Sequence, residues 1–544
     1  MKPGKELLFL ALGGSNEIGM NVNLYGCQGK WLMVDLGVTF ADHQYPGIDL
    51  VLPDLAFIEE RSKDLLGIVI THGHEDHIGS IPYLAADLGV PIYATDFTAR
   101  LIRGKLEEEG LKNVRLEVIE IGGSIDLGPF KCRYVPLAHS IPEMQAVVID
   151  TPYGRVFHSG DWKLDETPVL GRPATPEMLT AIGDEGVLAL VCDSTNTFNP
   201  EPAGSEGSVR ADLMRVVGEA RGRVLVTTFA SNAARLHTLG EVAKESGRTL
   251  CVAGRSLDRI IGVARASGYL KGFPDTVDFE AAMRLPPSDL MIVATGGQGE
   301  SNAALGRIAA GIHPLKLAEG DLVVFSSKQI PGNEVAIGVI QNQLARSNIP
   351  IVTEKQAHVH VSGHPGRPEL AALYKWLRPT MLIPVHGERR HMAEQARFAI
   401  AEGVPQTLVQ SNGDVVRLAP DGPAIISREK TGRLVLDGDI ILPADGATIN
   451  DRRRIAINGL VSVALALDDR GTPRGRPQIA IHGLPVEEDR DAFLDEACDA
   501  AEDAAAKGAR DDEALREAIR LAVRRCATEW TGKKPVVAVQ FVRI

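Results

Sequence analysis

The sequence predicts a multidomain α/β protein: a first domain interrupted by a helix-covered parallel sheet, then a small α+β module at the C-terminal end. Three observations predict it. The β-branched run Ile68-Val69-Ile70 passes through a polar turn, Thr71 to Asp76, into the helical spacing Ile78, Ile81, Leu84, Ala85. From about Gly207 the pattern becomes a strict alternation of strand and helix, and past Glu354 the style of the first 200 residues returns. After Arg452-Arg453-Arg454 the tail offers a strand, two helices and a final strand.

Size and composition agree with this reading. A chain of 544 residues exceeds one core and suggests about three domains. With 44% hydrophobic, 24% charged and 5% aromatic residues it is an ordinary globular sequence, which excludes the disordered and fibrous classes. The net charge of −13 argues against a uniformly basic coat for nucleic acid but leaves room for a local positive channel. The six cysteines, Cys27, Cys132, Cys192, Cys251, Cys498 and Cys526, are scattered without Cys-x-x-Cys spacing, so buried reduced thiols in a cytoplasmic protein are expected. No secretory pattern opens the chain, and no apolar run reaches the roughly 18 residues that span a bilayer, so no membrane association is expected.

The elements follow in order. Leu7 to Leu12 reads as a strand, and Val22 to Tyr25 with Trp31 to Leu36 as a hairpin around Gly26-Cys27-Gln28-Gly29, closing at Asp35. Thr39 to Pro53 is expected to be loop, with Asp42 and His43 exposed. After the histidine turn come a strand at Pro91 to Ala94, a helix from Asp96 to about Glu109, and strands at Arg115 to Glu120 and Cys132 to Pro136, the last running into His139. Val147 to Asp150 and Val156 to Phe157 form a second hairpin whose exit is His158-Ser159-Gly160-Asp161, and Gly186 to Val191 is a strand ending at Asp193. Strands at Val224 to Thr228, Leu250 to Ala253, Leu290 to Ala294, Leu322 to Phe325 and Ile351 to Thr353 alternate with helices, and Met381 to Val385 then ends at His386. The expected domains are 1–206 and 355–425 as two parts of the first domain and 207–354 as the insert. A connector at 426–455, rich in turn signals, and a terminal module at 456–544 complete the chain.

Reactive groups recur at strand ends, where loops on a rigid sheet carry sites. His72, His74, Asp76 and His77 fall within six positions, and burying them requires partners that a metal supplies. His72 and His74 project together from the strand's end, whereas Asp76 and His77 begin the helix and point elsewhere, which suits two neighbouring cations. A lone His139 or His386 would ordinarily be a hydrogen-bonded core histidine; the cluster's need for more ligands reverses that reading. His72, His74 and His139 are therefore expected to hold one divalent cation and Asp76, His77 and His386 the other, with Asp161 bridging. Water between the cations would be acidified to a hydroxide nucleophile, and Asp35 would orient a ligand from behind.

The stretch Thr71-His72-Gly73-His74-Glu75-Asp76-His77-Ile78-Gly79, with His139, His158-Ser159-Gly160-Asp161 and Pro384-Val385-His386-Gly387, resembles the metallo-β-lactamase fold, an αββα sandwich. Asp193-Ser194-Thr195-Asn196, Ser362-Gly363-His364 and His386, together with the insert, resemble the β-CASP nucleases, and Ile330-Pro331-Gly332-Asn333-Glu334 is similar to ribonuclease J. The terminal module looks like that family's dimerisation domain, which implies a homodimer or homotetramer. The resemblance further implies cleavage of single-stranded RNA, with a 5′-monophosphate preferred, in 5′-to-3′ exonuclease and endonuclease modes during RNA processing and decay. The products would be a 5′-phosphate and a 3′-hydroxyl.

With Asp76 at the metals, His364 partnered by Asp193 is the candidate acid for the departing 3′-oxygen. The loops after strands of the insert, with Ser231, Asn232, Gly297, Gln298, Ser326 and Ser327, and the segment Ser362, Gly363 and His364, are candidates for holding phosphate in an RNA channel between the two domains. Histidine, aspartate and water ligation suits zinc foremost, with manganese or magnesium as alternatives. Two other readings are a DNA nuclease or small-molecule hydrolase of the same superfamily and a catalytically silent RNA-binding scaffold. The insert argues against a small-molecule hydrolase, and the complete ligand set against silence.

Overall fold

The computed structural model describes residues 5–42, 44–329, 333–469 and 471–544, so His43 and Ile330-Pro331-Gly332 lie outside the described residues. The chain divides into two units, Met1–Thr39 with Leu52–Gly432, and Phe40–Val51 with Arg433–Ile544.

In the first unit, period-two alternation brings two sheets face to face. Along Phe130–Pro136, Phe130, Cys132 and Tyr134 are buried while Lys131 is exposed. They join Val147, Ile149, Val191 and Ile383 of the seven-stranded sheet in one core with Leu7, Phe9, Tyr25, Leu32 and Val34 of the eight-stranded sheet. The opposite face of the seven-stranded sheet buries Val148, Phe157, Leu190 and Leu382 beneath helices Pro176–Asp184, Arg367–Leu377 and Arg389–Ala401. The first hairpin, Val22–Cys27 against Lys30–Val34, turns at Gln28 and Gly29 with φ of 52° and 76°. Two successive positive φ angles give the turn whose twist matches that of the strands, which is why a Gly occupies its second position.

The third sheet has six strands, all parallel, in the order Thr276–Val277, Thr249–Ala253, Leu290–Ala294, Val224–Thr227, Leu322–Phe325, Ile351–Val352. Leu290–Ala294 is buried throughout, as expected of a strand covered by helices on both faces. The chain leaves the sandwich for this sheet and returns at adjacent positions. Ala189–Asp193 pairs in parallel with Met381–Val385, with Asp193 opposite Val385.

In the second unit, Leu460–Leu467 alternates half-buried and buried residues between Pro473–His482, antiparallel, and Val536–Arg543, parallel. Its buried face, Val461, Val463, Leu465 and Leu467, packs on Phe493, Ala497, Ile519 and Val523 of helices Arg490–Ala506 and Asp512–Thr531. This is the α+β module expected of the tail.

The stretch read as a connector differs from expectation. Residues 426–455 carry the end of strand Ala424–Arg428, the hairpin Arg433–Asp437 with Ile440–Pro443, and most of helix Ala447–Asn458. Its turn signals separate short strands: Gly438, at φ 60°, closes the hairpin between Asp437 and Ile440. Arg452 lies in the helix and pairs with Asp437 at 2.6 Å. Likewise Thr39–Phe40 and Leu50–Pro53, expected as loop, are short strands, and Phe40–Val51 groups with the C-terminal residues. All six cysteines are free and buried.

Candidate metal centre

The strand Leu65–Val69 delivers Thr71 to the buried end of the eight-stranded sheet, where the neighbouring strand ends at Asp35. Asp35 is fully buried, with φ at 64°, and its carboxylate accepts from the Thr71 amide at 2.8 Å and the Thr71 hydroxyl at 2.9 Å. His77 Nδ1 lies 2.7 Å from the same carboxylate and donates to it. Thr71 Oγ1 is 3.0 Å from His72 Nδ1, and His139 Nδ1 donates to the Gly363 carbonyl at 2.7 Å. With the Thr71 hydroxyl proton given to Asp35, all three contacts suit a proton on Nδ1 and turn Nε2 inward, the orientation of a histidine poised to ligate.

Those nitrogens converge. His72 Nε2 and His139 Nε2 each lie 3.1 Å from His74 Nδ1. Around a tetrahedral zinc ion, nitrogens at normal bond length stand about 3.3 Å apart. Asp161 Oδ2 lies 3.2 Å from both His77 Nε2 and His386 Nε2, 3.9 Å from His72 Nε2 and 4.0 Å from His139 Nε2. Asp76 Oδ2 is 3.6 Å from His77 Nε2 and 3.7 Å from His386 Nε2. The result is two ligand-type groups sharing Asp161: His72, His74, His139, Asp161 and Asp76, His77, Asp161, His386. Asp161 Oδ1 is buried with no hydrogen-bond partner. A buried, unpartnered carboxylate oxygen among converging lone pairs is what a pair of divalent cations would satisfy, so the residues fit the group.

The electrostatics divide the site. Burial and neighbouring imidazoles hold His72 and His74 well below the ordinary range and His139 at about 3. Burial also opposes protonation of His77 and His386, but the surrounding carboxylates, Asp161 first and Asp76 with it, together outweigh it, raising His77 well above its range and His386 to about 9. Asp161 itself stays well below the usual carboxylate range, because His386 and His77 overcome the opposing effect of burial.

His386 takes its place through the fold. Its φ is 51°, its amide donates to the Gly14 carbonyl at 2.6 Å, and its own carbonyl accepts from Thr195 Oγ1 at 2.8 Å. Asp193, one strand away, is buried and holds His364 Nδ1 at 2.8 Å. Burial would lower the His364 pKa, but the Asp193 charge and hydrogen bond raise it. The His364 ring lies 5.2 Å from that of His139 and 5.6 Å from that of His386, facing both ligand groups. Gly363 has no room for a side chain, since a Cβ there would stand 2.9 Å from His139 Cε1. Ser362 Oγ accepts the His364 amide at 3.1 Å.

The phosphate candidates separate. Asn232 caps the helix Ala233–Glu245 by accepting the Arg235 amide. Ser326 Oγ donates to the Val359 carbonyl at 2.7 Å, and Gln298 Nε2 to the Lys328 carbonyl at 2.7 Å. These side chains are engaged within the protein. Ser231 is half-buried in the turn before that helix. Ser327 Oγ is buried without a partner, and a Cβ on Gly297 would lie 2.6 Å from it.

Three residues of this neighbourhood are not predicted by the sequence. Asn21 Nδ2 lies 3.1 Å from His77 Nε2 and 2.9 Å from His386 Nδ1. Arg235, wholly buried, pairs with Glu206 at 2.5 Å and donates to the Ser326 and Val359 carbonyls. His360 Nδ1 and Arg235 Nη2 are buried without partners. Only His360 carries a signal, as the third member of His358-Val359-His360.

Comparison with known proteins places this geometry. The description "Ribonuclease J, beta-CASP domain" matches residues 221–344 and "Ribonuclease J C-terminal domain" 447–544. "Beta-lactamase superfamily domain" matches 43–182, and "Zn-dependent metallo-hydrolase RNA specificity domain" 348–406. A ribonuclease J of Sinorhizobium meliloti is 40% identical across 100% of this chain and 98% of its own length. The chain belongs to the ribonuclease J family. Two further ribonuclease J relatives, from Mycolicibacterium smegmatis and Mycobacterium tuberculosis, are 39% and 38% identical, covering 100% and 98% of the chain and 98% and 97% of their own. A solved structure titled as a protein of unknown function from Enterococcus faecalis covers 76% of the chain and 100% of itself, at 17% identity and a TM-score of 0.53; it shares the fold. As a member of that family, the chain is a nuclease of the metallo-hydrolase kind, with a metallo-β-lactamase domain, a β-CASP insertion and a C-terminal ribonuclease J domain. Among the described residues no helix is long and apolar enough to cross a membrane.

Proposed function

We propose that this chain hydrolyses single-stranded RNA at a two-cation centre, proceeding 5′ to 3′ from a monophosphorylated end and also cutting internally, in cytoplasmic RNA processing and decay. The observation that carries the reading is the convergence of His72, His74 and His139 on one side of Asp161 and of Asp76, His77 and His386 on the other. When bound there, two divalent cations, zinc foremost and manganese or magnesium as alternatives, supply Lewis acidity that lowers the pKa of water and offsets phosphate charge. The protein's own work is positional. Asp35, Thr71 and the Gly363 carbonyl hold His77, His72 and His139 in one tautomer and orientation. His364, kept protonated by Asp193, donates its proton to the departing 3′-oxygen. The free cysteines accord with a reducing compartment.

Capture of the 5′-phosphate is assigned to the unpartnered groups at the edge of the insert. Ser327 Oγ, Arg235 Nη2 and His360 Nδ1 are buried and lack partners. Burial, then Arg235, Lys328 and Lys163, push His360 down to about 3, a field that an anion would relieve. The test is cleavage of 5′-monophosphorylated and 5′-hydroxyl RNA with added zinc, manganese or magnesium. His360→Ala is expected to raise KM for the monophosphorylated substrate about tenfold while leaving 5′-hydroxyl RNA unchanged, the scale of one lost charge-assisted contact. Equal effects on both substrates would reject the assignment.

The terminal module, residues 456–544, is proposed to mediate a homodimer or homotetramer. A chain ending at residue 455 is expected to sediment as a smaller species than the full chain. Identical sedimentation would contradict the assignment.

A further inference from the structure

We infer that Phe198 is a stacking platform for a nucleobase flanking the scissile phosphate; the inference rests on the nuclease reading above. Phe198 is 48% exposed. It ends the turn that begins at Asp193, and that turn is pinned at every step. Thr195 N donates to Asp193 Oδ1 at 2.8 Å, Thr195 Oγ1 to the His386 carbonyl at 2.8 Å, and Thr197 Oγ1 to the Ser194 carbonyl at 2.8 Å. Asn196 Nδ2 donates to the carbonyl of His364 at 3.3 Å. The Asn196 contact ties this turn to the segment that carries His364, and Phe198 stands two residues further along the same turn.

The ring is also fixed from one side. It meets the ring of His391 at a steep angle, with 5.4 Å between centroids and 66° between planes. His391 is buried, and burial first, then Arg390, lowers its pKa, so a neutral imidazole backs the phenyl ring. Arg390, the next residue back, is exposed and pairs at the surface with Glu388 at 2.7 Å. A fixed, solvent-facing aromatic ring offers the stacking face by which single-stranded nucleic acid is held without regard to sequence. Phe198 rests on His391 and leaves about half of itself to solvent.

The experiment compares wild type, Phe198→Ala, Phe198→Leu and Phe198→Trp on an oligoribonucleotide and on bis(p-nitrophenyl) phosphate, a diester with no base. Alanine and leucine are each expected to raise KM for the oligonucleotide about tenfold, while tryptophan keeps it near wild type, and none alters hydrolysis of the small diester. With substrates lacking one base at a time, wild type is expected to lose affinity at one position to which Phe198→Ala is indifferent. Full retention of affinity by Phe198→Ala, rescue by leucine, or an equal loss on both substrates would overturn the platform. A wild-type chain that cleaves no RNA would instead overturn the nuclease reading.

Discussion

Asp161→Asn is expected to lower RNA hydrolysis roughly 10³-fold and to reduce the divalent metal that co-purifies with the protein. The carboxylate lies within 4.0 Å of His72, His77, His139 and His386 together. Asparagine keeps its shape but removes its charge, and its amide nitrogen would offer protons to lone pairs already directed inward. The loss corresponds to the several kcal/mol of charge stabilisation that a cation contributes in the transition state, each 1.4 kcal/mol being about tenfold. Metal content and cleavage rate should fall together. A variant with full metal and near-normal turnover would sink the bridging role.

His364→Ala is expected to slow cleavage by about 10²- to 10⁴-fold, the range of a positioned general acid. The pH profile separates this role from a structural one. The acid must carry its proton, so rate falls as pH rises through the His364 pKa, which Asp193 holds above the ordinary histidine value despite burial. Removing that partner charge in Asp193→Asn leaves only Asp161 to oppose burial, and the alkaline limb should move to lower pH. In His364→Ala the limb should vanish. Superimposable profiles for wild type and Asp193→Asn would reject the pair, and full rate in His364→Ala with a dead Asp161→Asn would leave the metal centre standing alone.

Local features are legible in the sequence. A strand, a polar turn and a helix suffice to place His72, His74, Asp76 and His77 near one another, since a few residues of chain cannot separate them by much. The parallel sheet of the insert is legible for the same reason, in buried runs such as Leu290–Ala294. The stretch 426–455 reads as a connector because Thr431-Gly432 and Asp437-Gly438 look alike between short strands and in a linker; only pairing partners distinguish them. Arg235 gives no sign at all. It sits in an ordinary amphipathic helix, and its burial is tolerable only because Glu206 and the Ser326 and Val359 carbonyls, all remote in sequence, meet it there.

The sequence by itself determined the chemistry available to this chain: four metal-type ligands on one turn, further candidates at strand ends, and an insert that makes the superfamily motif nuclease-like. Which remote residues complete the centre was decided by tertiary structure. Asp193 and His386 become neighbours because Ala189–Asp193 and Met381–Val385 pair in parallel across the whole insertion. His139 is held by a carbonyl from the returning segment. Side-chain type is a local property, whereas convergence to about 3 Å requires the register of strands far apart in the chain, and register is set by the shared hydrophobic core.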